Sequence, residues 1–556
     1  MATTTFRTSA IAGAVTLAVL ASGLSLIASQ AEAKKVVVLD DSERIEALTK
    51  LGKRIFFDPI SKPKGEQSCS SCHDPATGWT GPSSDINKLE VAQPGAAFHK
   101  NPEARGGLRP PTNAYATLIP PFQEVVNPFT GDSVAVGGAF WDGRAEGDEP
   151  MYPGGATDHV YLADVIMGVT EDASPLTLFE QAVKDYLGPV ADQALNPFPN
   201  PVEQNIREEA VCHHVEKAGY ANLFADAWGE RIKCNDDIYR TSFKRIAVAL
   251  AAYQDSSEVN SFSSKRDNAL RAELACMPLA EIQELPWADG LEEVEVKNIL
   301  SRFGLVPDKL NGSCDQSDID EKQGPLGQFP LVRLSEQENW GHDLFYSFRR
   351  VPVGAFDTCN KTVITADNPK SGARCVACHT NNRGDDGSEP LQTYADHSYH
   401  NIGTPVNYEI PGVVEAALGL AGHTGEEEDV GLVKTPTLRN VAKLPDNESG
   451  FVKAYPSNGW FKSLESLVHF YNTSDVGSSG VPLCDDEVVT EAQAMGEEDG
   501  LPACWPAPGN TNAVSIGGLT GNLGLSTCDE ETIVAYLKTF SDQRIVELPA
   551  PNKKSK

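Results

Sequence analysis

Two five-residue strings constrain this chain more than anything else in it: Cys-Ser-Ser-Cys-His at Cys69–His73 and Cys-Val-Ala-Cys-His at Cys375–His379. In CxxCH, two thiols are spaced to add to the two vinyl groups of a heme while the adjacent imidazole ligates the iron. A single copy can be a chance zinc or redox motif. Two copies behind an export signal are specific for covalently attached c-type heme. Cys69, Cys72, Cys375 and Cys378 are therefore the expected attachment points, and His73 and His379 the expected proximal ligands.

The export signal lies at the N-terminus. Arg7 precedes an apolar run from Ala10 to Ile27, and the run ends in Ala31-Glu32-Ala33, a small-residue cleavage pattern. This predicts a signal peptide over residues 1–33, a mature chain from Lys34 and a periplasmic location. No later segment has the length and apolarity of a membrane span. In an oxidising compartment the eight remaining cysteines, Cys212, Cys234, Cys276, Cys314, Cys359, Cys484, Cys504 and Cys528, have enough partners for four disulfides. Spacing leaves the connectivity open, with Cys212–Cys234 and Cys276–Cys314 as the local pairs. The chain carries 46 basic and 78 acidic residues, a net charge of −32, which argues against nucleic acid as a partner. Such a surface either steers a basic redox partner or simply keeps the protein soluble.

Periodicity points to helices. Ile45, Leu48, Leu51, Ile55 and Phe56 recur on one helical face before the first CxxCH, and Ser335 with Glu338 forms a capping-box pattern ahead of Trp340, Leu344, Phe345 and Phe348 before the second. Gly52-Lys53-Arg54-Ile55-Phe56-Phe57 aligns with Gly341-His342-Asp343-Leu344-Phe345-Tyr346. The later copy has about 17 more residues before its CxxCH, Cys359 among them. The expected fold is mainly α: two cytochrome c-like heme domains in tandem, with long loops and insertions. The expected boundaries are 34–271 for the N-terminal heme domain, 272–333 for an insertion or linker, and 334–556 for the C-terminal heme domain. The segment from Phe243 to Ala251 reads as an amphipathic helix closing the first domain near Asn260, and the acidic stretch Cys484–Gly500 as a surface elaboration.

Sixth ligands are harder to read. After the signal only Met151, Met167, Met277 and Met495 remain, none in a helical context near a heme motif. Tyr471 shares a helical face with Leu464, Leu467 and Val468, which makes it either a ligand to the second heme or a core tyrosine.

Ordered landmarks beyond the two strings resemble those of the bacterial diheme cytochrome c peroxidase and MauG family. They are CSSCH with Gly78-Trp79, RPPTNAYA from Arg109, FWDGRA from Phe140, NPVEQN from Asn200, CVACH, YHNIGTP from Tyr399, KTPTLRNV from Lys434 and NGWFKSLESLVHFYN from Asn458. The resemblance implies a peroxidatic N-terminal heme and an electron-transfer C-terminal heme. It implies that Trp141 relays charge between them, that Glu203 is the distal acid/base and that Gln193 accompanies it. A carboxylate suits this role because cleaving a peroxide O–O bond needs a group that takes a proton from one oxygen and returns it to the other.

Two departures stand out. Tyr471 occupies the position where the peroxidases usually have methionine, which resembles the His/Tyr arrangement of MauG-type enzymes; a hard anionic phenolate favours ferric iron. The displaceable distal histidine of many peroxidases has one candidate, His99, which is equally an exposed loop residue. The family's interdomain calcium stays open through Asn113 or backbone carbonyls, without assigned ligands. His342, His400 and the pair His213 and His214 show no ligand spacing and read as structural or solvated. The expected activity is reduction of hydrogen peroxide to water, with electrons from a small periplasmic cytochrome c or copper protein. The alternatives are a MauG-like oxidase acting on a partner protein and a plain diheme electron-transfer cytochrome.

Overall fold

Asp40 starts the first long helix. Its carboxylate accepts the backbone N–H of Glu43 at 2.9 Å, and the Glu43 carboxylate accepts the N–H of Asp40 at 3.0 Å, so two otherwise orphaned groups satisfy each other. The resulting helix α1 (Asp41–Phe56) buries Leu48, Leu51, Ile55 and Phe56 along one stripe and leaves Ile45 partly exposed. Six further helices organise the rest: α2 (Ala221–Trp228), α3 (Ile238–Gln254), α4 (Lys265–Ala275), α5 (Glu336–Tyr346), α6 (Leu464–Thr473) and α7 (Thr527–Lys538). The capping box expected at Ser335 and Glu338 opens α5.

This computed structural model describes residues 39–550 apart from 62–64, 97–103, 127–130, 149, 153–157, 311–330, 382–385, 447, 486–487, 489, 496–503, 513 and 515–517. The expected signal peptide, His99 and Cys314 lie outside the described residues. Among the described residues, sheet is confined to three two-stranded antiparallel pairs: Gln123–Val126 with Ser133–Val136, Phe356–Asp357 with Thr362–Val363, and Tyr399–His400 with Val433–Lys434. No described helix is long and apolar enough to cross a membrane.

The buried apolar residues form two large clusters. One runs from Ala47 to Phe262 around α1, α2 and α3; the other runs from Ala269 to Phe540 around α5, α6 and α7. Their central helix pairs are built alike. A Cβ at Gly52 would overlap the carbonyl oxygen of Ala249 on α3 and stand 2.9 Å from the Cβ of Tyr253. A Cβ at Gly341 would overlap the carbonyl oxygen of Thr532 on α7 and stand 2.9 Å from the Cβ of Tyr536. The glycines that align in sequence thus occupy the same place in two close helix crossings, where only hydrogen fits.

The segment expected as an insertion contributes to the second cluster: Ile282, Trp287, Val296, Leu300 and Phe303 are all buried there. Disulfides brace the loops. Cys212 pairs with Cys234 as local spacing suggests, and Cys484 with Cys504 closes the acidic stretch. Cys359, among the extra residues of the second copy, pairs with Cys528 on α7, which spacing alone did not single out.

Candidate active site

Each CxxCH string folds as a tight 3₁₀ turn, Cys69–Ser71 and Cys375–Ala377, with the histidine N–H bonded back to the first cysteine's carbonyl at 3.0 and 2.9 Å respectively. The imidazoles are oriented from behind. Nδ1 of His73 donates to the carbonyl of Trp79 at 3.2 Å, and Nδ1 of His379 donates to the carbonyl of Tyr394 at 2.9 Å. Trp79 and Tyr394 both take a left-handed backbone conformation, with φ of 65° and 57°, to present those carbonyls. Because a carbonyl only accepts, the proton sits on Nδ1 and the lone pair on Nε2 is free for a metal. Burial pushes the His73 imidazole down to about 4 and lowers that of His379, so both rings are neutral. The four motif thiols are the free cysteines of the described chain, and burial pushes Cys69, Cys72 and Cys375 up to about 12.

Both motifs open on one cavity with about 2270 Å³ of space between its walls and mouth. The first half contributes His73, Trp141 and Gln193; the second contributes Cys375, Cys378, His379 and Tyr471. Unpaired thiols, Nδ1-anchored imidazoles and an apolar wall of Leu464, Leu467 and Val468 fit the needs of covalent heme. Among the described residues, no methionine lines it.

Trp141 is fixed by its Nε1, which donates to the carbonyl of Arg109 at 2.8 Å, and the Arg109 guanidinium carbon sits 5.5 Å from its ring. Tyr471 projects from α6 with the three apolar residues expected to share its face. Burial raises its phenol, and the thiols of Cys378 and Cys375 add to the shift, which sets it close to the second motif. Gln193 ends the short helix Pro189–Gln193 and reaches the cavity. Glu203 does not line the cavity but lies close enough to the first motif for its charge to raise Cys69 and Cys72. It is half-buried, and Asn200 donates to its Oε1 at 2.7 Å. Burial raises its carboxyl, against the opposing pull of Arg144 and Asn200.

Several residues at the cavity were not found by motif spacing. His400, read from sequence as structural or solvated, lines it, with Nε2 2.7 Å from the Ser398 hydroxyl and 3.7 Å from the Asp396 carboxylate. Burial works against its charge, but Asp396 prevails and raises it to about 10. Burial lowers Lys434 to about 7 and His397 to about 4. Lys453 donates to the carbonyls of Thr77, Asn440 and Lys443 at 2.7, 2.8 and 3.2 Å, joining the loop after the first motif to the second half. These side chains converge from distant segments, and only the membership of Lys434 and His400 in KTPTLRNV and YHNIGTP offered a signal. His213 and His214 pair with Glu216 and Asp58 away from the cavity.

Two CxxCH turns with carbonyl-anchored histidines, facing one cavity in a mainly helical chain, define a diheme c-type redox protein. Residues 46–275 match the model of the di-haem cytochrome c peroxidase family. The methylamine utilization protein MauG of Paracoccus denitrificans is 25% identical over 537 residues, covering 95% of this chain and 96% of that protein. Two solved structures share the fold. The diheme peroxidase BthA of Burkholderia thailandensis is 21% identical, with a TM-score of 0.52 over 92% of this chain and 90% of that one. A tyrosine-to-methionine variant of the same peroxidase is 19% identical, with a TM-score of 0.53 over 90% and 87%. The chain is thus similar to the di-haem cytochrome c peroxidase family over residues 46–275 and to MauG over nearly its whole length, a similarity that implies two c-type hemes, and it shares the mainly helical fold of the diheme peroxidases.

Proposed function

We propose that this protein is a periplasmic peroxidase that reduces hydrogen peroxide to water at the His73 side of the cavity, drawing electrons from a small cytochrome c or copper protein. The observation that carries this reading is Glu203. A carboxylate raised by burial beside the first heme motif, and oriented by Asn200, suits a proton shuttle. Bound through Cys69, Cys72 and His73, heme supplies the redox chemistry. Glu203 takes a proton from one peroxide oxygen and returns it to the leaving oxygen, and Gln193 positions peroxide or water from the cavity wall. Trp141, held by Arg109 on the wall shared by the two motifs, carries charge toward the His379 side. With heme attached through Cys375, Cys378 and His379, Tyr471 would serve as the further ligand to its iron, from the cavity wall that it shares with them. His99, outside the described residues, would be the displaceable ligand of the first heme in this reading. The reading needs no calcium ion, and the domain limits 34–271, 272–333 and 334–556 go with it.

A second reading, a MauG-like oxidase that modifies a partner protein, is favoured by one observation, the tyrosine at position 471. Stopped-flow turnover of hydrogen peroxide with a reduced small cytochrome separates the two. Rapid, repeated oxidation of the cytochrome supports the peroxidase. Slow turnover, with a covalent change in a co-purifying protein, supports the oxidase. Ferric or half-reduced holoenzyme that ignores peroxide sinks both and leaves a plain electron-transfer cytochrome.

A further inference from the structure

Trp141 is not the only oxidisable ring on the cavity wall. Tyr115, in the RPPTNAYA segment, also lines it and is 1% exposed. Its environment is unlike that of a core tyrosine held only by packing. The phenolic oxygen donates to Oδ2 of Asp542 at 2.8 Å and accepts the backbone N–H of Phe262 at 2.9 Å. The Arg439 guanidinium carbon lies 4.9 Å from the centre of this ring and 5.5 Å from that of Tyr394. Tyr394 is the residue whose carbonyl holds His379. The segment that carries Tyr115 begins beside the first site, where Pro111 lines the cavity with His73. A Tyr115–Arg439–Tyr394 cluster therefore joins the backs of the two heme sites.

We infer that Tyr115 is a redox-active tyrosine, oxidised with transfer of its phenolic proton to Asp542, and serves as a site of hole storage additional to Trp141. The inference rests on the peroxidase reading for its natural oxidant. A tyrosine that loses an electron becomes a very strong acid, and a positive charge on its ring would face the Arg439 guanidinium at close range. Oxidation is thus feasible only if the proton leaves with the electron. Asp542 is placed to receive it over a single existing hydrogen bond, with no water needed. Its remaining contacts, from Asn440 at 2.9 Å to Oδ2 and from the Ser263 N–H at 3.0 Å to Oδ1, hold the carboxylate still while it does so.

The electron count closes. Hydrogen peroxide takes two electrons and two protons to give two waters. Tyr115 supplies one electron and passes its own proton to Asp542, the heme supplies the other electron, and solvent supplies the two protons that complete the waters. Two electrons from the external donor then restore the starting state, one replacing the electron the heme would have given and the other restoring Tyr115 as Asp542 returns the proton to the phenolic oxygen.

The test uses holoprotein made with ring-deuterated tyrosine and frozen within milliseconds of adding one equivalent of hydrogen peroxide, with EPR and heme absorption read on the same samples. A second arm replaces peroxide with a ruthenium polypyridyl photo-oxidant and persulfate. The expected result in both arms is a radical whose EPR width narrows on tyrosine deuteration and whose yield falls at least tenfold in Tyr115→Phe and severalfold in Asp542→Asn. A radical of undiminished yield in both variants, or one insensitive to tyrosine deuteration, overturns the assignment. Heme absorption unmoved by peroxide overturns the peroxidase reading instead, and the photo-oxidant arm then decides Tyr115 alone. If Tyr115→Phe does not retain heme, deuteration and Asp542→Asn carry the decision.

Discussion

Asp267 grips Arg439 with both carboxylate oxygens, at 2.5 and 2.8 Å from the two terminal guanidinium nitrogens, and neither side chain reaches solvent. Asp267 lies in the first turn of α4, where it also bonds Ser264, and Arg439 belongs to KTPTLRNV, where its Nε donates to the Gln392 carbonyl at 2.6 Å. The pair fixes the cation that lies against both Tyr115 and Tyr394. Breaking one side of such a buried pair leaves an uncompensated charge, which costs about 3–5 kcal/mol. Asp267→Asn is therefore expected to lower the unfolding free energy measured in urea by that amount.

The same pair sets an acid limit. Burial alone would raise the Asp267 carboxyl, but the charge and hydrogen bonds of Arg439, with Arg266 and Ser264, hold it below the ordinary aspartate value. A carboxyl depressed in the folded state stabilises the fold at pH above its unfolded value of about 3.9, and that contribution disappears as pH falls through the folded value. Stability measured against pH is expected to decline more steeply below about pH 4 in the parent than in Asp267→Asn. Parallel curves for the two proteins would show that folding does not shift the Asp267 carboxyl.

Replacing Glu203 by Gln keeps shape and removes the proton carrier. Peroxide-dependent oxidation of a reduced cytochrome is expected to fall by about 10²–10⁴ while the resting heme spectrum stays unchanged. Because burial raises this carboxyl, the acid limb of the parent's kcat/KM profile should lie above the ordinary glutamate value of about 4.3, with activity rising as the carboxylate forms. Retention of full activity in Glu203→Gln would move the acid/base role elsewhere.

Tyr471 reports on the second heme. A phenolate ligand favours ferric iron, so Tyr471→Met is expected to raise the reduction potential of one heme and leave the other in place. Spectroelectrochemical titration resolves the two; identical curves for parent and variant would place Tyr471 in the wall without a bond to iron.

The Cys359–Cys528 bridge closes a span of 169 residues that contains the second CxxCH. Cross-links over long spans restrict the unfolded chain strongly, so replacing both cysteines by Ser is expected to cost about 2–5 kcal/mol in chemical unfolding with the heme spectrum intact.

Attachment chemistry and helix periodicity were readable from the chain itself, because CxxCH and the capping boxes are local patterns whose geometry is set within a few residues. Tyr471 was legible on the same ground: Leu464, Leu467, Val468 and Tyr471 share a face of α6 and together reach the cavity. What sequence did not disclose is convergence from afar. Asp542 follows α7 yet hydrogen-bonds a tyrosine at position 115, and Lys453 reaches back to the carbonyl of Thr77. His400 reaches the cavity wall beside Ser398 and Asp396 through a turn geometry that residue spacing does not disclose. Cys359–Cys528 escaped because nothing in 169 residues of separation favours that pairing over its competitors.

Gly52 and Gly341 leave each central helix crossing without room for even one added carbon. A joint machined that closely cannot be adjusted to suit a new reaction, in either half. Differences between the two halves fall outside these crossings, as with Glu203 and Tyr115 in loops and Tyr471 on α6. The two halves are one tool fitted with different tips.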